Sequence, residues 1–344
     1  MPSARELADR IERHDRDAHT AKRFRELVLA DLRTALPCQG HVFALTDPVT
    51  KVATAPLADV PGLEWPRLPE LIRARYLTPR SRWDGLLGSG ARSLLELSGG
   101  DPEQAELWRL QRDLGVLDSA TVAFGDRYGC WGFLELLRYT GKPFTAAELA
   151  TLTSIAGSIT TGLRRALGRT FTGADARLPP VGPAVLILDP GLRVRAQTAA
   201  AATALLRLNP PDEPMAPIPA SAYNAGAALL AVERDLAIGL PWSRIHLGGN
   251  RWVTVKADRL GTDIAVSIEP SSPAERLDLF ARAHALSARE SEVLALLAAG
   301  LDSRQLAAEL VLSEHTVNDH VKSILAKCAA RTRNTLLSRV LGIG

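Results

Sequence analysis

Apolar positions recur along this chain with two periods, and the change from one to the other marks its elements. Leu7, Ile11, Ala18, Ala21, Phe24, Leu27 and Val28 fall on one helical stripe. Residues 4–36 are therefore predicted to form one helix, ended by Pro37. Alternation then predicts a strand over 41–46, a turn at Asp47-Pro48 and a return strand over 49–54, with a loop over 56–69. Short helices are expected over 70–77 and 89–97. Another should start at Asp101-Pro102-Glu103-Gln104, carrying Leu107, Trp108, Leu110 and Leu114. Strands over 120–124 and 130–139 follow, joined by the polar turn 125–129. Thr145 and Glu148 make a capping box for a helix that aligns Leu149, Leu152, Ile155, Ile159 and Leu163.

Residues 169–182 are rich in Gly, Pro and Thr and read as a linker. Beyond them come strands at 184–189 and 193–197 and an Ala-rich helix to Leu208. A proline-rich loop (210–219), a helix over 223–235 and three strands (243–247, 252–257, 264–269) complete this segment. Ser272, Pro273 and Glu275 occupy the cap, first and third positions of a connecting helix.

The last sixty residues show four capped helices. Ser287 and Glu290 form a capping box, and Gly300 stops the helix behind it. Asp302 with Gln305, Ser313 and Thr332 cap three more. A short helix, a tight Val311-Leu312 connection and a longer capped helix make a helix-turn-helix. With Val317 turned to the core and about 100° per residue, the opposite face carries His315, Asp319, Lys322 and Ala326, flanked by Asn318 and Ser323. Asn, Lys and Asp are the side chains that address adenine, guanine and cytosine edges. Charge is segregated as well. Residues 285–319 hold two basic side chains against six acidic ones, whereas His320 onward holds five basic and none acidic. A phosphate-facing edge accounts for that split.

The motifs LSARESEVL, QLAAEL and SEHTVNDHVKSILAK make this stretch resemble the LuxR-type helix-turn-helix family. The resemblance implies a dimeric, sequence-specific bacterial transcription regulator. It places Asn318, Asp319 and Lys322 at base-reading positions and Thr316, His320 and Lys327 at DNA-backbone positions. It gives the last helix, with Leu336, Leu337 and Val340, a share in dimerisation. The acidic Asp319 departs from the family pattern, as does Cys328-Ala329-Ala330 in place of Leu-Gly-Val. Upstream, YGCWGFLELLRYTGKPFTAAELATLTSIA resembles the closing hairpin and helix of GAF domains, and VLILDPGLRVRAQTAAA the opening of PAS domains.

Composition excludes more than it suggests. A 46% hydrophobic and 23% charged chain is ordinary for a globular protein. The net charge of +3 is too small for general nucleic-acid affinity, so any basic surface must be local. Cys38, Cys130 and Cys328 are far apart and build neither a disulfide framework nor a zinc site. The charged N-terminus is no signal peptide, and no apolar run is long enough to span a membrane. Phosphate-loop, GxSxG, HExxH and EF-hand patterns are missing, so no catalysis and no cofactor are expected. Asp189 ends an apolar strand as a phosphoacceptor does, but DPG and a second strand follow it, which makes it a turn residue. The histidines lack ligand spacing. The six tryptophans read as core rather than as pocket lining, and the Trp, Tyr and Asp spacing of acyl-homoserine-lactone sensors is not evident.

The expected fold class is multidomain α+β. GAF-like (1–168) and PAS-like (183–270) antiparallel-sheet domains precede a connecting helix (271–284) and an all-α four-helix LuxR-type domain (285–344). The expected function is cytoplasmic, effector-controlled DNA binding. Expected partners are double-stranded DNA, a second copy of the chain, a small-molecule or protein effector, and RNA polymerase; no membrane is involved. The alternative is a sequestering protein-interaction module whose head no longer binds DNA.

Overall fold

The computed structural model of the chain describes residues 3–101, 103, 105–172, 182–208, 217–236, 239–249 and 251–342. The first expected helix is two: α1 (Ala4–Asp17) and α2 (Ala21–Ala35). Thr20 supplies the break, because its hydroxyl accepts from the Arg23 amide and starts a new helix. Then come β1 (Gly40–Thr46), β2 (Ala53–Asp59), α3 (Leu68–Tyr76), β3 (Arg92–Ser93), α4 (Leu94–Ser98), α5 (Glu106–Asp113), β4 (Asp118–Asp126), β5 (Gly129–Arg138) and α6 (Ala146–Arg169). Strand β2 lies later than the pattern predicts and contains Pro56. It is tolerated because β2 is an edge strand whose register slips between Phe43 and Leu45 of its partner. The expected helix start at 101–104 falls partly outside the described residues.

The second half runs β6 (Ala184–Leu188), β7 (Val194–Gln197), α7 (Ala199–Leu208), α8 (Ala220–Glu233), β8 (Trp242–Gly248), β9 (Arg251–Leu260), β10 (Asp263–Pro270) and α9 (Pro273–Ala283). Asp189 is indeed a turn residue, its carboxylate accepting from the Arg193 amide. Two five-stranded sheets result, β2-β1-β5-β4-β3 and β7-β6-β10-β9-β8. All described pairings are antiparallel. Numbered within itself, each sheet has the same strand order.

One face of the first sheet packs Phe43, Val122, Phe124 and Leu134 against Leu7 and Ile11 of α1, Phe24 of α2, and Ile155 and Ile159 of α6. Its other face does not close on its own. Ala44, Ala123 and Phe133 share a core with Tyr76 and Trp83, and that core runs on through α8 into Leu186, Val255 and Val266 of the second sheet. Every residue of α8 from Ala220 to Ala231 is buried, as expected of a helix that is apolar all round. The two sheet units are therefore fused rather than strung on a linker. Part of the expected linker is core too: Phe171 is 1% exposed and stacks on Trp252 at 5.4 Å. Residues 173–181 of that linker and 209–216 of the proline-rich loop lie outside the described residues. Among the tryptophans, Trp83, Trp108, Trp131 and Trp252 are buried and Trp65 is exposed. Among the described residues, no helix is long and apolar enough to cross a membrane.

Candidate nucleic-acid interface

The C-terminal helices are α10 (Ala288–Ala298), α11 (Ser303–Leu310), α12 (Glu314–Lys327) and α13 (Arg333–Leu341). Each starts at the residue the sequence nominates. Ser287 and Glu290 satisfy each other's backbone amides, and so do Asp302 and Gln305. The Ser313 and Thr332 hydroxyls accept from the Thr316 and Thr335 amides. Val293, Leu294, Leu306, Val317, Val321, Ile324, Leu336 and Val340 are buried together. That apolar core fixes the crossing of α11 and α12, and so which face α12 turns outward.

The outward face is the expected one. His315, Asp319 and Lys322 have side chains 84%, 54% and 74% exposed. They form a loose ladder, with His315 Nε2 3.4 Å and Lys322 Nζ 3.3 Å from the Asp319 carboxylate. Pairs so exposed contribute little and can be exchanged for DNA contacts at small cost. Asn318 lies to the side, half-buried, with Oδ1 accepting from Ser303 Oγ at 3.1 Å and from an Arg333 Nη at 3.0 Å. Thr316 and His320 are half-buried, and the Thr316 hydroxyl meets that of Ser313 at 2.9 Å.

Lys327 carries a second bond set that no pattern in the sequence signals. Its ammonium donates to both oxygens of Glu290, at 2.8 and 2.6 Å, while Ser323 Oγ donates to the same carboxylate at 2.7 Å. Burial pushes the Glu290 carboxyl up. The bonds from Lys327, Ser323 and Ser287 outweigh it and bring the group down to about 2. This clamp ties the start of α10 to the end of α12. At the next junction, Cys328 and Ala330 are buried and Ala329 takes a left-handed φ of 47°. Arg339 donates to the Cys328 and Ala329 carbonyls, so the departure from Leu-Gly-Val leaves a closed turn.

Of the expected dimer-helix residues, Leu336 and Val340 are turned into the head's own core, and Leu337 packs partly buried against it. The C-terminal end of α13 is held from α9, where buried Arg276 donates to the Val340 and Arg339 carbonyls at 3.2 Å. Helix α9 is anchored on the sheet units as well. Arg244 of β8 donates to Asp278 and to the Glu275 carbonyl, and Arg282 donates to the Tyr128 carbonyl. Arg244 also donates three bonds to Asp47, at 2.8–3.0 Å, in a pair 1% and 0% exposed. A cleft of about 620 Å³ lies between Tyr128, α9 and the start of α10. These ties leave no mark in the sequence: Asp47 is legible there only as a turn residue, Arg244 and Arg276 belong to no motif, and their partners are far along the chain.

The chain matches a curated probable HTH-type transcriptional regulator, GfsR of Streptomyces halstedii, with 41% identity over 58 residues. That alignment covers 17% of this chain and 24% of the relative, so it spans about a quarter of the relative's length. Among solved structures, Escherichia coli SdiA is 14% identical, with 100% of this chain and 92% of that chain covered and a TM-score of 0.33. SdiA in complex with octanoyl-rac-glycerol is 15% identical over 100% and 90%, with a TM-score of 0.34. At those values neither likeness bears on this chain's fold or ligand. The capped helix-turn-helix built by residues 284–340 is what matches a family model, that of the bacterial regulatory proteins of the luxR family.

Proposed function

We propose that the chain is a sequence-specific DNA-binding transcription regulator whose N-terminal domains sense the controlling signal. The observation that carries this is the exposed face of α12. His315, Asp319 and Lys322 stand clear of a fully capped helix-turn-helix core, inside the stretch that matches the luxR family. Such a helix lies in the major groove. Asp319 and Lys322 read base edges in this account, with Asn318 beside them. Thr316, His320 and Lys327 face the backbone, Lys327 sharing its ammonium between Glu290 and a phosphate. The domain division 1–168, 183–270 and 285–344, with GAF-like and PAS-like identities for the first two, is supported by the shared sheet order and the expected element sequence. Double-stranded DNA, a second copy of the chain, an effector and RNA polymerase are the partners of this reading, in the cytoplasm. The homodimer draws on Leu337 and the exposed side of α13, since Leu336 and Val340 serve the head's core.

Control follows from how α9 is held. It touches both sheet units and α13, so a signal that favours one arrangement of the sheet units shifts the population of head positions. The test is selection from a randomised duplex library with full-length protein. The expected outcome is an enriched pair of half-sites, with Lys322→Ala costing about 1–3 kcal/mol of discrimination at one base position. Enrichment of no sequence would give the sequestering-module reading the field.

A further inference from the structure

Three helices of the head meet at one polar cluster on the flank of the exposed α12 face. Arg333 opens α13, Ser303 opens α11, and Asn318 sits on the second turn of α12. On the α12 helix, Asn318 is about 40° round from Lys322. An Nη of Arg333 donates to Ser303 Oγ at 2.8 Å and to Asn318 Oδ1 at 3.0 Å. Ser303 Oγ donates onward to the same Oδ1 at 3.1 Å. All three residues are half-buried, so a ligand group can reach them.

The donor and acceptor inventory decides what this cluster can hold. Asn reads adenine by using both ends of its carboxamide. Here Oδ1 already accepts two bonds, which fills both lone pairs. Arginine has no acceptor, so the amide cannot be turned over without setting its NH₂ against the guanidinium. Only Nδ2 is left to face a ligand, and it can only donate. The described bonds of Arg333 go to neutral oxygens, and its guanidinium keeps further N–H groups and its full charge. A site made of an arginine cation and an amide donor, at the edge rather than the centre of a helix face offered to DNA, fits an anionic oxygen and excludes the paired donor and acceptor of an adenine edge.

We propose that Arg333, Ser303 and Asn318 form a seat for one DNA phosphate. Arg333 and the Asn318 Nδ2 donate to its oxygens, and Ser303 holds both side chains in place. The seat fixes the register of α12 in the groove. Asn318 is then a positioning residue, and base reading falls to Asp319 and Lys322. This assignment rests on the DNA-binding reading above.

The test uses full-length protein and the site enriched from a randomised duplex library. Affinity for that site and for an unrelated duplex is titrated across salt for the wild type, Arg333→Gln, Arg333→Lys and Asn318→Ala, with thermal unfolding as the control for folding. Arg333→Gln is expected to weaken both duplexes by the same factor, about tenfold, and to lower the salt slope by about one. Arg333→Lys should restore most of the slope, which a purely structural tie between helices does not predict. Asn318→Ala should weaken both duplexes alike and leave the base profile of a repeated selection unchanged. Replacing single phosphates by neutral methylphosphonates should expose one position that matters to the wild type and not to Arg333→Gln. A base preference relaxed at one position in Asn318→Ala overturns the seat and restores Asn318 as a reader. An unchanged salt slope in a folded Arg333→Gln overturns it too. Should the wild type enrich no sequence, the DNA-binding reading falls first and takes the seat with it.

Discussion

The four-helix head and the two-sheet body are held together over different distances along the chain. In the head, the helix starts are set within three residues, by Ser287 with Glu290, Asp302 with Gln305, and Ser313 with Thr316. In the body, the decisive bonds join residues far apart in sequence. Asp47 takes three bonds from Arg244, and Thr50 Oγ donates to the Trp242 carbonyl at 2.6 Å. Helix α8 fills the space between the sheets with small side chains that come close to both. Local bonds can be written into a motif and preserved as one. Distant bonds leave no pattern, yet they fix how the sheet units, α9 and the head stand relative to one another. The head thus carries the chemistry and the body carries its placement.

The sharpest way to break this contrast is at Asp47 and Arg244. Both side chains are essentially unexposed, and removing one partner strands a buried charge. Asp47→Ala is expected to cost about 3–5 kcal/mol, measured by urea unfolding of the full chain. The double variant Asp47→Leu/Arg244→Met should recover much of that loss, because the stranded charge is gone. A cost below about 1 kcal/mol for Asp47→Ala would mean that the apolar core around α8 holds the units without the pair.

Glu290 is the head's nearest equivalent, a buried carboxylate that joins α10 to α12. Its folded pKa of about 2 lies below the ordinary value of 4.5. Folding therefore gains from its ionised form above pH 4.5, and the gain fades as pH falls through 4.5 toward 2. The contribution at neutral pH is about 2–3 kcal/mol, with the side chain 6% exposed. Glu290→Gln should lose roughly that amount at pH 7 and flatten the acid limb of a stability–pH curve read by the head's unfolding. A variant as acid-sensitive as the wild type would place the titration elsewhere in the chain.

Legibility divides along the same line. All four head helices start at the predicted caps, because a cap is an interaction between neighbours. The exposed face of α12 was readable for a similar reason, since 100° steps depend only on helix geometry. The body was readable in element order and less so in detail. Helix α1 runs into a break at Thr20 that the continuous apolar stripe hides, and β2 begins after the segment where alternation is clearest. Fusion of the two sheet cores was not readable, since an Ala-rich helix looks the same whether it covers one sheet or two. Within the candidate site, the side bonds of Asn318 and Lys327 are not legible in the sequence because Ser303, Arg333 and Glu290 come from other helices.

The smallest expected effect tests whether local rules also govern the turn inside the helix-turn-helix. Val311 closes α11 with φ 53° and ψ 50°, in the left-handed region, and is 89% exposed. A β-branched residue is poorly suited to that conformation, which costs an L-residue about 1–2 kcal/mol and is the usual place for glycine. So exposed a side chain forfeits almost no buried area when removed. Against the relief stands the extra freedom that glycine gives the unfolded chain, about 0.4–1 kcal/mol. Relief should win, and Val311→Gly is expected to stabilise the head by about 0.5–1 kcal/mol, seen as a higher unfolding midpoint at unchanged denaturant slope. A lower midpoint would show that Val311 makes a stabilising contact its exposure does not reveal, and that at this turn the head, like the body, is held by something other than its nearest neighbours.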